Sequence, residues 1–186
     1  MIGGVSLSNY NYKILGIDPG FGRMGYGIIG IAGSRVSCLN YGVIETDTSW
    51  ELPERLVYIY NDVKKIIREF EPEESAIEKL FFFRNVTTAI HVSQATGVAI
   101  LALQQAEIPI YEYTPYQIKQ SVTGYGKAEK GQIQRTLKLF FNLEKTPKPD
   151  DASDALAAAW CRYTSRSTLG GEKIGNKFRI KKQETE

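Results

Sequence analysis

The chain has 186 residues, 42% of them hydrophobic, and a formal net charge of +2. This balance supports one domain with a proper core and excludes a largely disordered or strongly polyionic chain. Cys38 and Cys161 are too few for a disulfide framework or a thiolate zinc site and read as buried reduced thiols. The richest apolar run, residues 98–103, is far shorter than a membrane span. The N-terminus lacks the basic start and long apolar centre of a signal peptide, so a cytoplasmic protein without membrane association is expected.

In chain order, residues 13–18 read as a buried strand, and residues 25–31 and 35–46 as two more, joined by Gly-containing turns into an antiparallel meander. Leu56, Ile59, Val63, Ile66, Ile67 and Phe70 recur at three- and four-residue spacing, which predicts an amphipathic helix over 53–70 with Pro53 in its first turn. A short strand follows at 75–80, then a helix rich in small residues at 86–106 and a fifth strand at 109–113. Thr114-Pro115-Tyr116-Gln117 reads as a capping box that starts a helix ending near Gly124. Helices at 129–141 and 151–163 complete the order β-β-β-α-β-α-β-α-α-α, an α/β arrangement with a five-stranded mixed sheet flanked by helices. That order resembles the RNase H-like fold. From residue 165 onward the chain is polar and aperiodic with six bases, which predicts a loosely held tail able to touch nucleic acid.

Four carboxylates occupy telling places in this order. Asp18 closes the run Ile14-Leu15-Gly16-Ile17, Glu78 closes Ala76-Ile77, and Asp151 and Asp154 open the last helix, three residues apart and so on one helix face. Acids at strand ends and helix starts tend to face a common edge. Four hard oxygen donors there suit Mg²⁺ or Mn²⁺, and two such ions about 4 Å apart clamp the attacking and leaving oxygens of a phosphodiester. Each acid also has an ordinary reading: Asp18 as part of an Asp-Pro-Gly turn, and Asp150 or Asp151 as a complement to the helix dipole.

Charge is unevenly distributed. Residues 45–78 hold ten acids against four bases, whereas residues 114–148 hold seven bases, among them Lys119, Lys127 and Lys130, against Glu129 and Glu144. A basic surface beside an acidic metal site suits a phosphate-backbone substrate, although a solvated charged face would give the same count. Phe81-Phe82-Phe83 is either core or a stacking surface for unpaired bases. His91, the only histidine, reads as a packing or surface residue rather than a ligand.

With these motifs in sequence, Ile14-Leu15-Gly16-Ile17-Asp18-Pro19-Gly20-Phe21-Gly22-Arg23, Ala76-Ile77-Glu78-Lys79-Leu80-Phe81, Thr123-Gly124-Tyr125-Gly126-Lys127-Ala128-Glu129-Lys130 and Asp151-Ala152-Ser153-Asp154-Ala155-Leu156, the chain resembles the RuvC family of Holliday-junction resolvases from about residue 13 to 165. The resemblance implies that Asp18, Glu78, Asp151 and Asp154 bind metal, with two ions per active site. It also implies that Lys119 and Lys130 lie near the DNA phosphates, Lys130 within the catalytic site, that Lys127 lies on the DNA-binding loop, and that Phe81 reaches the crossover. It implies a homodimer nicking two opposed strands of a four-way junction symmetrically, in recombination and repair, alongside RuvA and RuvB. The expected division is an N-terminal extension at 1–12, the nuclease domain at 13–165 and a basic tail at 166–186. Gly16-Ile17-Asp18-Pro19-Gly20 also resembles the first phosphate loop of actin-like ATPases and sugar kinases, but those need a second domain and a second phosphate loop. A noncatalytic junction-binding module and a less selective RNase H-like nuclease are the remaining alternatives.

Overall fold

Three apolar strands, buried on both faces, form the centre of the sheet. In the computed structural model, which describes residues 7–80, 86–166 and 171–174, strand β1 (Tyr12–Asp18) pairs antiparallel with β2 (Arg23–Ala32), so that Asp18 faces Gly25 across the ladder. Strand β3 (Arg35–Glu45) extends this meander beyond β2. On the other side of β1, β4 (Glu74–Glu78) and β5 (Ile110–Tyr113) run parallel to it. Parallel strands need coverage on both faces, which the near-continuous apolar runs of β1 and β4 satisfy.

Helices α1 (Leu52–Phe70) and α2 (Val86–Gln105) cover one face, burying Ile59, Val63, Ala95, Ala99 and Leu103 with Leu15, Ile17, Ile28 and Ile77. Helices α3 (Pro115–Thr123), α4 (Lys130–Phe140) and α5 (Asp150–Ser165) cover the other, with Ile118, Ile133, Leu137 and Leu156 packed on Ile14 and Ile29. The alternation of Ile14 and Leu15 between the two cores follows from the two-residue period of a strand.

Helix α5 lies directly on the β1–β2 backbone. A Cβ at Gly16 would stand 1.9 Å from the Ala155 carbonyl oxygen, one at Gly25 1.9 Å from the Asp151 oxygen, and one at Gly27 2.7 Å from Leu156 Cα. The helix answers with small residues, since Ala152, Ala155, Ala157, Ala158 and Ala159 are all fully buried. Backbone against backbone fixes the depth at which the acids of its first turns meet the sheet.

The structure departs from the sequence expectations at the C-terminal edge of the sheet and along helix α2. Residues 171–174 do not belong to an aperiodic tail: β6 (Glu172–Ile174) pairs antiparallel with β5 and makes the sheet six-stranded, in the order β3-β2-β1-β4-β5-β6. Unpaired hydrogen-bonding groups on an outer strand invite such an addition. Ile174 packs on the core and Glu172 pairs with Lys79 at 2.9 Å. Within the expected N-terminal extension, Leu7–Asn9 forms a 3-10 turn and Tyr10 is buried. Helix α2, close to the helix expected over 86–106, is by length and composition alone apolar enough to cross a membrane, although no apolar stretch of that length was expected. Its inward face is docked on α1 and the sheet, while Val86, Ile90 and Leu101 remain exposed.

Candidate active site

Asp18 and Glu78 are the last residues of adjacent parallel strands, so their side chains emerge at the same sheet edge. The first turns of α5 bring Asp154 to that edge. Together with Lys119 from α3 and Lys130 from α4, these acids line an open cleft of about 360 Å³ floored by Pro19, Ile118 and Ile133. Five elements distant in sequence thus place three acids and two cations around one space.

The electrostatics follow from that crowding. Burial, and then the neighbouring charges of Glu78, Asp154 and Asp151, push the Asp18 carboxyl up to about 8, with Lys130 opposing. Glu78 is raised to about 7 by burial and then by Asp154, against the pull of Lys130, Lys119 and a hydrogen bond with Asp18. Asp154 is raised by burial, offset by Lys130. Lys130 is itself held in its charged form chiefly by Asp154, with its Nζ 3.4 Å from Asp154 Oδ2 and 3.8 Å from Asp150 Oδ2. Near neutral pH the Asp18–Glu78 pair therefore retains a proton that isolated carboxylates would release.

The expected site residues separate into three groups. Asp18, Glu78, Asp154, Lys119 and Lys130 meet at the cleft. Asp151 stands at its margin, where Arg23 Nη1 lies 3.6 Å from its Oδ2, and Lys127 is exposed on the loop between α3 and α4. Phe81 lies outside the described residues. His91 stacks on Phe21 with ring centroids 4.9 Å apart, which accords with a packing role. Arg23, which bridges Asp151 and Glu45 (2.7 Å), was not singled out from the sequence, although it lies within the first motif. Asp150 accepts a hydrogen bond from Gln134 Nε2 at 2.9 Å.

The donor chemistry fits a hard divalent cation: three carboxylates line one space, and burial, reinforced by their mutual repulsion, holds a proton that a cation would displace. Among the described residues, no three acid, histidine or cysteine side chains already share one ligating position. Lys130 and Arg23 instead neutralise Asp154 and Asp151.

Comparison with known proteins agrees with the fold and motifs. Residues 14–162 match the family profile described as crossover junction endodeoxyribonuclease RuvC. The protein of that name from Petrotoga mobilis is 60% identical over 156 residues, covering 84% of this chain and 96% of its own. The one from Thermosipho melanesiensis is 49% identical, covering 80% and 95%. Among solved structures, Thermus thermophilus RuvC in complex with Holliday junction substrate superposes with a TM-score of 0.83 at 29% identity, covering 88% of this chain and all of that one. A mixed sheet of this order flanked by helices, with acids gathered at its strand ends, defines an RNase H-like nuclease. The chain belongs to the RuvC family of crossover junction endodeoxyribonucleases.

Proposed function

We propose that the chain resolves four-way DNA junctions by metal-dependent hydrolysis at the cleft, with Asp18, Glu78, Asp151 and Asp154 as metal ligands and Lys119 and Lys130 as phosphate-facing cations. The observation that carries this reading is the convergence of Asp18, Glu78 and Asp154 with two lysines around one open space. When bound there, divalent ions, Mg²⁺ or Mn²⁺ and two per site, supply charge neutralisation at the phosphate and a water of lowered pKa. Water attacks phosphorus, one P–O ester bond breaks, and a 5′ or 3′ hydroxyl leaves without a covalent link to the protein.

The protein's own contribution is electrostatic placement. Asp18, Glu78, Asp151 and Asp154 would hold the ions, with the carboxyls of Asp18 and Glu78 ionised. Lys130 and Lys119, which line the same cleft, would stabilise the charge that develops on the phosphate oxygens. Lys127 on the neighbouring loop extends the positive surface along the backbone, and Phe81 supplies a ring at the branch point.

A junction presents two equivalent strands, so a two-fold dimer suits it. The exposed side chains Val86 (76%), Ile90 (53%) and Leu101 (51%) on α2 provide an apolar face for a second copy. Work beside RuvA and RuvB in the cytoplasm completes the reading. Asp18→Asn is expected to lower junction cleavage by orders of magnitude while chelator-stage binding persists. Normal cutting by that variant with Mg²⁺ would remove the assignment.

A further inference from the structure

We propose that Tyr116 and Tyr125 form an aromatic shelf beside the cleft that receives an unstacked nucleotide of the junction, a role that deepens the reading of the cleft as the cleavage site. Both rings are open to solvent, Tyr116 at 54% and Tyr125 at 59%. Their exposure is not scattered over the surface. Tyr116 lies in the first turn of α3, three residues before Lys119 and hence on its face of the helix. Pro115 and Lys119, on either side of it in sequence, both line the cleft.

The two tyrosines are held together through the loop that joins α3 to α4. The Tyr116 ring lies on the backbone of Gly126, where an added Cβ would be 2.2 Å from its Cε2. The residue preceding that glycine is Tyr125. Its backbone N–H donates to Thr123 Oγ1 at 3.2 Å, and its carbonyl accepts from the Ala128 N–H at 3.1 Å, so the loop is fastened to the end of α3 while the Tyr125 ring points into solvent. The same loop carries Lys127 and leads directly into Lys130. The rings are thus carried by the same helix and loop that carry Lys119 and Lys127 and lead into Lys130.

Lysines attract a phosphate backbone but cannot distinguish a paired from an unpaired base. A ring face can, because stacking needs a base face that duplex stacking has released, and every base has such a face whatever its sequence. A linear duplex offers none in its interior, whereas a branch point does. The shelf is thus a determinant of selectivity for junctions over duplex, and Gly126 has a physical reason to be glycine: any side chain there would lift Tyr116 from the loop.

The test is junction and linear-duplex binding measured in chelator at several salt concentrations. Tyr116→Ala and Tyr125→Ala should each weaken junction binding roughly tenfold and leave duplex binding unchanged. Tyr→Phe and Tyr→Trp should restore it and Tyr→Leu should not, which separates stacking from apolar packing. Gly126→Ala should reproduce the Tyr116→Ala loss. The slope of log affinity on log salt should match the wild type, whereas loss of a lysine–phosphate contact lowers it by about one unit. Unchanged junction affinity in both alanine variants, full rescue by leucine, or an equal loss on junction and duplex with a changed slope would each overturn the shelf. Because no metal is present in this measurement, failure of the shelf and failure of the carboxylate assignment are distinguishable: Asp18→Asn cutting normally would remove only the latter.

Discussion

Strand β4 and helix α5 meet at two ends, and the meetings are opposite in sign. At the cleft end, Glu78 faces Asp154, and burial together with that like charge raises the Glu78 pKa. At the other end, four residues earlier on the strand, Glu74 accepts two hydrogen bonds from Arg162, eight residues later on the helix than Asp154, at 2.8 and 2.7 Å. Arg166 stands 3.8 Å from the same carboxylate, and the Arg162 and Arg166 guanidinium carbons lie 3.5 and 3.8 Å from the ring centres of Tyr111 and Tyr12. Four strand residues and eight helix residues both span about 12 to 13 Å, so the two contacts close opposite ends of one antiparallel pair. The lesson is a division of labour: attraction at the remote end holds together two elements that repulsion at the cleft pushes apart. A site that gathers several acids needs such a supporting anchor on rigid elements.

The comparison would be broken most clearly by exchanging its two ends. Glu78→Gln should lower single-turnover cleavage by several orders of magnitude while leaving the urea midpoint of metal-free protein equal or higher. Arg162→Met should do the reverse, costing about 3–5 kcal/mol of stability because Glu74 is left buried without its two hydrogen bonds, with only Arg166 nearby. Cleavage by the protein that remains folded should stay near wild type. Adding Glu74→Leu should recover much of the stability, since a buried ion pair can be replaced by apolar packing more readily than it can be halved. Loss of cleavage in Arg162→Met without loss of stability would refute the division.

A smaller effect sharpens the electrostatic half. Because Asp18 and Glu78 titrate at about 8 and about 7 when folded and near 4 when unfolded, the folded state binds more protons across that window. Stability of metal-free protein should therefore be greatest below about pH 4 as far as these two groups act, and should fall as pH rises toward 8. Thermal melts between pH 5.5 and 8.5 should show the decline, Asp18→Asn should flatten it, and Mg²⁺ should raise the melting temperature more at pH 8 than at pH 6. A flat profile in the wild type would mean that burial and like charge do not act on these acids as their positions require. The smallest effect concerns the cations facing the acids: Lys119→Ala should reduce cleavage and lower the salt slope of junction binding by about one unit, and an unchanged slope with normal cleavage would leave it a surface lysine.

Much of the cleft was legible because its signals are local. A strand that ends in an acid, or a helix that begins with one, is written in a handful of neighbouring residues, and Asp18, Glu78 and Asp154 arrive where that pattern puts them. The α3 cap is equally local, and both of its bonds form: Gln117 N–H to Thr114 Oγ1 at 3.2 Å and Thr114 N–H to Gln117 Oε1 at 2.8 Å. The anchor was not legible. Glu74 and Arg162 are 88 residues apart, and Glu74 sits in an acidic stretch that reads as solvated surface, yet it is 7% exposed. Strand β6 escaped because three residues carry no measurable period, and its formation depends on the free edge of β5. Asp151 could be placed on the helix but not in its pairing with Arg23, a partner that comes from the far side of a turn in β1–β2. Local chemistry reads out element by element, whereas pairings across the sheet depend on the assembled topology.

Gly25 gives the cleft a further property. It lies opposite Asp18 in the β1–β2 ladder and directly beneath the carbonyl of Asp151. The gap between those two acids is thus gauged by the thickness of a peptide backbone, a dimension that side-chain drift elsewhere cannot alter. Residues lining the cleft can vary and leave that gap intact; even a single methyl at position 25 acts as a shim that pries the helix and its acids off the sheet.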